Sequence, residues 1–213
     1  MINPSLTICG ESFQAPIHVC AFFDSTNEQY DVIVPYIQEG LQQNEKVINI
    51  LEHACHDEHC ERLSNAGISV KEKSANKQLE VLASENTYLK GGSFEAEKML
   101  KLLEDALIEA TNEGYEGVRA CGEMAWALAN VPGTDELIEY EAKLNLLTPK
   151  HSCSLICMYD IRRFSAQVFT DVLATHSHVI MRGKIHKNPY YVEPLEFLSK
   201  LEERAKSSLE IYQ

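Results

Sequence analysis

Between residues 18 and 52 the spacing of apolar positions changes twice. An apolar run at 19–23 (VCAFF) stops at Asp24-Ser25, Tyr30, Ile33, Val34, Ile37 and Leu41 then recur at helical spacing, and a second apolar run follows at 46–51. The pattern predicts strand, helix, strand. Ser25 followed by Glu28 has capping-box spacing, so the helix is expected to begin as soon as the first strand ends.

The same alternation continues down the chain. A short helix is expected over 57–65, ended by Gly67, then a strand at 68–71 and another around Leu79, Val81 and Leu82. Ser93 reads as the cap of a helix whose buried stripe is Phe94, Ala96, Met99, Leu100, Leu103, Ala106, Leu107 and Ala110, with Gly114 as its stop. A buried strand over 117–124 runs into a small helix, and Thr134 is expected to cap a further helix to about 147. A strand at 152–159, a helix at 164–175, a last strand at 178–185 and a terminal helix opened by Pro194 complete the reading. Strands alternating with helices imply an α/β fold with a mainly parallel sheet covered on both faces. The chain reads as one domain over 1–213, with a lead-in arm at 1–16, an α/β core at 17–192 and a C-terminal helix at 193–213.

Composition narrows the functional classes. With 19 basic against 32 acidic residues the formal net charge is −13, and no basic patch is concentrated enough to attract nucleic acid or an anionic membrane surface. The longest apolar runs fall far short of the roughly 20 residues a membrane span needs. A cytoplasmic protein is expected, with its seven cysteines reduced, since several of them sit inside strand-like runs.

In an open α/β sheet ligands bind outside the carboxyl ends of the strands. The side chains expected there are Asp24, Glu52 with His53, Glu123, and Tyr159 with Asp160. A nucleotide-binding fold would carry GxxxxGK[ST] after the first strand, whose amides and lysine hold the phosphates. This chain reads FFDSTNEQY, with neither glycine nor lysine, so four acids face the crevice and ATP binding in that mode is not expected.

The opening unit, with Asn44-Glu45 at its turn and Glu52 at the end of its second strand, resembles that of RecA/KaiC-type ATPases. More closely, His18, Glu39-Gly40-Leu41, Tyr88 with Phe94, Arg119 with Gly122-Glu123-Met124 and Trp126, Tyr140-Glu141 with Asn145, Cys157 to Asp160 and Asn188-Pro189-Tyr190 resemble, in order and spacing, the MEDS sensory domain family. The resemblance implies a three-layer RecA/KaiC-like sheet with a degenerate P-loop. It also implies a sensory input that perceives small hydrocarbon derivatives and is coupled to a DNA-binding or kinase output. No output domain fits within 213 residues, so the expected partner is a separate signalling protein, either a kinase or a transcription regulator. Self-assembly through the terminal helix stays open.

The residues expected to bind the small organic ligand are His18, Asp24, Glu52, Arg119, Glu123, Trp126, Tyr140, Glu141, Cys157, Tyr159 and Asp160. Each has a plainer reading: His18 as a hydrogen-bonded strand residue, Arg119 and Glu123 as buried charges with separate partners, Trp126 and Cys157 as packing. Glu141 shares the buried stripe of Leu137, Leu144 and Thr148, where a carboxylate needs a partner or a raised pKa. No cofactor is expected. The alternative is a metal protein or enzyme: if 56–60 is helical, His56 and Cys60 lie one turn apart, with His53 or Cys55 completing a metal shell. No arrangement for nucleophilic catalysis emerges, and no catalytic residue is singled out.

Overall fold

The computed structural model describes residues 5–211. The first four positions of the expected arm and the last two of the terminal helix lie outside the described residues. Nine strands and seven α-helices are described, and seven of the strands form one sheet in the order β5-β4-β6-β7-β3-β8-β9. Its members are β3 (Ile17–Phe23), β4 (Lys46–Leu51), β5 (Leu79–Ala83), β6 (Val118–Glu123), β7 (Cys153–Asp160), β8 (His178–Met181) and β9 (Lys184–Lys187). All pairings are parallel except that of β8 with β9.

Connections that run toward the β5 edge use α1 (Thr26–Gln42), α2 (His56–Asn65) and α3 (Val70–Ala75). Those that run back use α4 (Ala96–Asn112), α5 (Leu137–Leu147) and α6 (Ala166–Thr175). Right-handed crossovers therefore place the two groups on opposite faces. The strands show it residue by residue. Val19, Ala21 and Phe23 pack with Ile33, Tyr36 and Ile37 of α1, while Cys20 and Phe22 face the layer of Leu103 and Leu107 of α4, Leu144 of α5 and Val172 of α6. The α/β architecture with a mainly parallel central sheet is the one read from the alternation of strands and helices. Against it lie α7 (Pro194–Ile211), packed on α5 and α6, and the expected arm, which forms a hairpin of β1 (Ser5–Ile8) and β2 (Glu11–Gln14). Leu6 and Ile8 of that hairpin are buried on the α1 side.

Four local expectations are corrected. Residues 68–71 are not a strand: Ile68 alone is buried, and after Gly67 (φ 86°) the polar run that follows Val70 winds into α3. Ser93 does not cap α4, because the helix starts at Ala96 and the Glu136 carboxylate, distant in sequence, accepts from the Ala96 amide at 2.8 Å. Thr134 opens a 3-10 turn ahead of α5, its hydroxyl donating to the Val131 carbonyl instead of capping. The span 178–185 is a hairpin, turned at Arg182-Gly183, both with positive φ as a tight two-residue turn requires.

Candidate functional site

Three of the expected acids meet at one rim. Glu52 follows β4, Glu123 ends β6 and Asp160 ends β7, and they line a cleft of about 170 Å³ with Ser25, Thr26, Cys55 and Met158. The capping box fixes the start of α1 beside it: Ser25 Oγ accepts from the Glu28 amide at 3.3 Å, and Glu28 Oε2 accepts from the Asp24 amide at 3.0 Å. An uncompensated acidic edge is not what forms. The turn after β7 brings Arg162 to Asp160 and Arg163 to Glu52, each at 2.7 Å. The Arg162 guanidinium holds the Asp160 carboxyl below its ordinary range. Deeper in the cleft, burial outweighs the hydrogen bond from the Glu52 amide and raises the Glu123 carboxyl.

Beneath the rim is an inner pocket of about 70 Å³, lined by Gln29 and Tyr30 of α1, Asn49 of β4, His59 of α2, Glu123 and Met158. Asn49 is fully buried, and among the described residues neither its Oδ1 nor its Nδ2 has a hydrogen-bond partner. His59 Nε2 is buried and unpaired in the same way, while its Nδ1 lies 3.0 Å from the Tyr30 hydroxyl. An unpaired buried polar group costs roughly 1–3 kcal/mol, so three such atoms around one pocket call for an explanation.

Burial, with His56 adding to it, lowers His59 to about 4. The unfolded imidazole titrates near 6.5, so between these values the unfolded chain binds more protons and stability rises with pH. This contribution, about 3 kcal/mol, is complete above about pH 6.5 and lost as the pH falls toward 4. Urea unfolding midpoints across that window are expected to drop steeply for the native protein and less steeply for His59→Gln; equal slopes would show that His59 is not held neutral.

On the opposite face of the sheet, His18 of β3, Glu141 of α5, Cys157 of β7 and His176, just after α6, come together, each buried. The Tyr159 hydroxyl donates to Glu141 Oε1. Glu141 Oε2 lies 3.2 Å from His18 Nε2 and 3.4 Å from His176 Nε2. Burial opposes ionisation of Glu141, and only positive charge on the side of the two facing imidazoles brings its carboxyl well below the usual range. The expected choice for this carboxylate, a partner or a raised pKa, is half met: Oε1 has the Tyr159 hydroxyl, and Oε2 has no donor among the described residues.

The structure thus divides the expected ligand residues among separate places. Asp24, Glu52, Glu123, Tyr159 and Asp160 belong to the carboxyl edge, with Tyr159 reaching back from it to Glu141. His18, Glu141 and Cys157 form the buried centre. Trp126 and Tyr140 are core: the indole stacks on Tyr88 at 4.8 Å and both rings pack against Phe94. Arg119 lies at the far end of β6 from Glu123, bound to Glu45, Glu39, Gln43 and the Tyr36 carbonyl, so placing it in the crevice is corrected. Gly40 gives it room, since a Cβ there would stand 2.6 Å from Arg119 Cδ.

Of the expected metal donors, the rings of His53 and His56 lie 5.2 Å apart. His56 and Cys60 do share a face of α2, but among the described residues no third donor joins them, and Cys55 turns to Glu52 and Glu123. Asn49, His59 and His176 were missed. Asn49 interrupts the apolar run that follows Lys46 in KVINIL, a signal legible in the sequence; His176 carries none until the helix before it is placed.

A mainly parallel sheet with helices on both faces thus carries two buried polar centres, and the turn after β3 reads FFDSTNEQY where a phosphate loop would have GxxxxGK[ST]. The family model described as MEDS, "MEthanogen/methylotroph, DcmR Sensory domain", matches residues 17–177, and the chain belongs to that family. A curated relative, the transcriptional repressor DcmR of Methylorubrum extorquens (strain DSM 6343 / CIP 106787 / DM4), is 28% identical over 172 residues, covering 75% of this chain and 57% of that protein. The chain therefore spans little more than half the length of this relative. A KaiC-like protein from Pyrococcus horikoshii OT3 is similar in fold, with a TM-score of 0.55 and 10% identity over 78% of this chain and 71% of that one. No helix among the described residues is long and apolar enough to cross a membrane.

Proposed function

We propose that this sensory domain takes as its input a small polar organic molecule seated in the pocket under the carboxyl edge, between α1, α2 and the ends of β4, β6 and β7. The observation that carries the reading is Asn49, whose amide offers a donor and an acceptor to the pocket with no partner for either among the described residues. A volume of about 70 Å³ admits roughly four or five water-sized groups, which fits a molecule of a few carbons bearing a hydroxyl or carbonyl. Met158 and Tyr30 supply apolar walls, and neutral His59 with Glu123 adds further hydrogen-bonding capacity. The absence of glycine and lysine in the turn after β3 speaks against a nucleotide held by its phosphates. The signal passes to a transcription regulator or kinase, a partner supported by the likeness to a transcriptional repressor. The formal charge of −13 favours a protein partner over direct contact with DNA.

Asn49→Leu separates binding from folding. The substitution keeps the branched shape, lets the larger methyl groups fill part of the pocket and removes two unpaired polar atoms, so it is expected to stabilise the protein by about 1–3 kcal/mol while abolishing ligand response. Thermal shifts against a panel of one- to four-carbon alcohols, aldehydes and amides provide the test. A ligand at 100 times its dissociation constant is expected to add about 2.7 kcal/mol to the native protein and nothing to the variant. A response of equal size in both would remove the pocket from consideration.

A further inference from the structure

The hydrogen bonds around the buried centre fix where its protons sit. Asn145 Nδ2 donates to the carbonyls of Glu141 at 3.1 Å and Thr175 at 2.7 Å, which turns its Oδ1 toward His18 Nδ1 at 3.3 Å. An amide oxygen only accepts, so the proton of neutral His18 is on Nδ1. His176 Nδ1 lies 2.8 Å from the Val172 carbonyl, which by the same reasoning places its proton on Nδ1. Both rings therefore present a bare Nε2 lone pair, and the two Nε2 atoms are 3.0 Å apart. Glu141 Oε2, which no donor satisfies, faces both, and Cys157 Sγ is 3.2 Å from His18 Nε2. Four electron-pair donors converge in a space from which water is excluded. A positive species between them resolves the repulsion.

We propose that His18 Nε2, Glu141 Oε2, Cys157 Sγ and His176 Nε2 form a four-coordinate site for one divalent transition ion, with zinc the metal the donor set fits best.

Metal–nitrogen bonds near 2.0–2.1 Å and a metal–sulfur bond near 2.3 Å give tetrahedral edges of roughly 3.3–3.6 Å. Four of the six separations among these donors, 3.0 to 3.4 Å, are close to those edges, and the two from Cys157 Sγ to Glu141 Oε2 and His176 Nε2 lie within 4.8 Å. Charge agrees as well. One thiolate, one carboxylate and two neutral imidazoles exactly offset a dication, so the loaded centre is neutral and avoids burying net charge. On binding, the thiol proton of Cys157 leaves to solvent and its sulfur lone pair goes to the metal. The outer contacts are those that orient ligands at metal sites: Asn145 and the Val172 carbonyl on the Nδ1 protons, the Tyr159 hydroxyl on the free carboxylate oxygen. Four protein donors leave no open position, so the ion would tie β3, β7, α5 and the end of α6 together and would not activate water. The site is distinct from the ligand pocket, since Cys157 and Met158 are neighbours on β7 pointing to opposite faces.

The test measures metal in the full chain. Protein produced with added zinc is expected to carry one equivalent by plasma mass spectrometry. Protein unfolded under reducing conditions and refolded with cobalt(II) is expected to show tetrahedral d–d bands and a thiolate-to-cobalt charge-transfer band. Cys157→Ser should lose the charge-transfer band, Asn145→Ala should weaken metal binding about 10- to 100-fold, and Cys55→Ser and His56→Ala should change neither. If Cys157→Ser fails to fold by circular dichroism, the native cobalt spectrum still decides. Zinc well below one equivalent together with no tetrahedral cobalt spectrum would overturn the proposal and make a proton the occupant. So would full zinc content in a folded His18→Ala or Cys157→Ser variant. Both outcomes leave the Asn49 pocket standing.

Discussion

Arg119→Met is expected to destabilise the protein by about 3–5 kcal/mol. The guanidinium is fully buried and reaches Glu45, Glu39, Gln43 and the Tyr36 carbonyl, using the fork of donors that only arginine offers. Glu45 is itself 3% exposed, so removing the arginine strands a carboxylate in the interior. Methionine keeps most of the aliphatic stem, which isolates the charge from the packing. The cost therefore measures a stranded partner more than the worth of the pair, and Arg119→Met with Glu45→Met together should recover much of it. Urea unfolding of the two variants checks both statements. A loss under about 1 kcal/mol in the single variant would mean that water reaches Glu45.

Trp126→Ala should cost a similar amount, about 3–5 kcal/mol, by opening a void in the aromatic cluster. The indole is 2% exposed, stacked on Tyr88 and against Phe94, and these rings also contact Tyr140, so one truncation loosens the other three. Its Nε1 hydrogen is buried and finds no acceptor among the described residues. Trp126→Phe consequently removes an unmet donor along with some volume, and is expected to cost less than about 2 kcal/mol. Circular dichroism is the proper probe, since Trp126 is the single tryptophan and its fluorescence vanishes with it. Equal losses for alanine and phenylalanine would show that the indole ring, and not its bulk, holds the cluster.

Long periodic stretches announced the scaffold. The stripe from Tyr30 to Leu41 and the buried runs at β3, β4 and β7 carry their own period, and each became the expected element. The misplaced elements depended on partners far along the chain. Glu136 caps α4 across forty positions of sequence, which no local cap signal at Ser93 could reveal. Arg162 and Arg163 were passed over because a rim assembled from strand ends counts only the residue at each end and not the turn beyond it. In the buried centre, His18, Glu141 and Cys157 were legible singly, as polar residues at apolar positions. Their meeting was not, since it takes a helix-layer residue, His176, and the registry of β3 on β7 to bring them within bonding reach.

The β8–β9 hairpin closes the sheet on one side. Its outer strand has four residues with lysines at both ends, and only Ile185 is turned inward. So brief and cationic a border, folded back against the direction of the strands beside it, is a poor template for a strand from another molecule. Copies of this protein that meet at that border find only a four-residue ladder flanked by lysines, so association there leans on side chains.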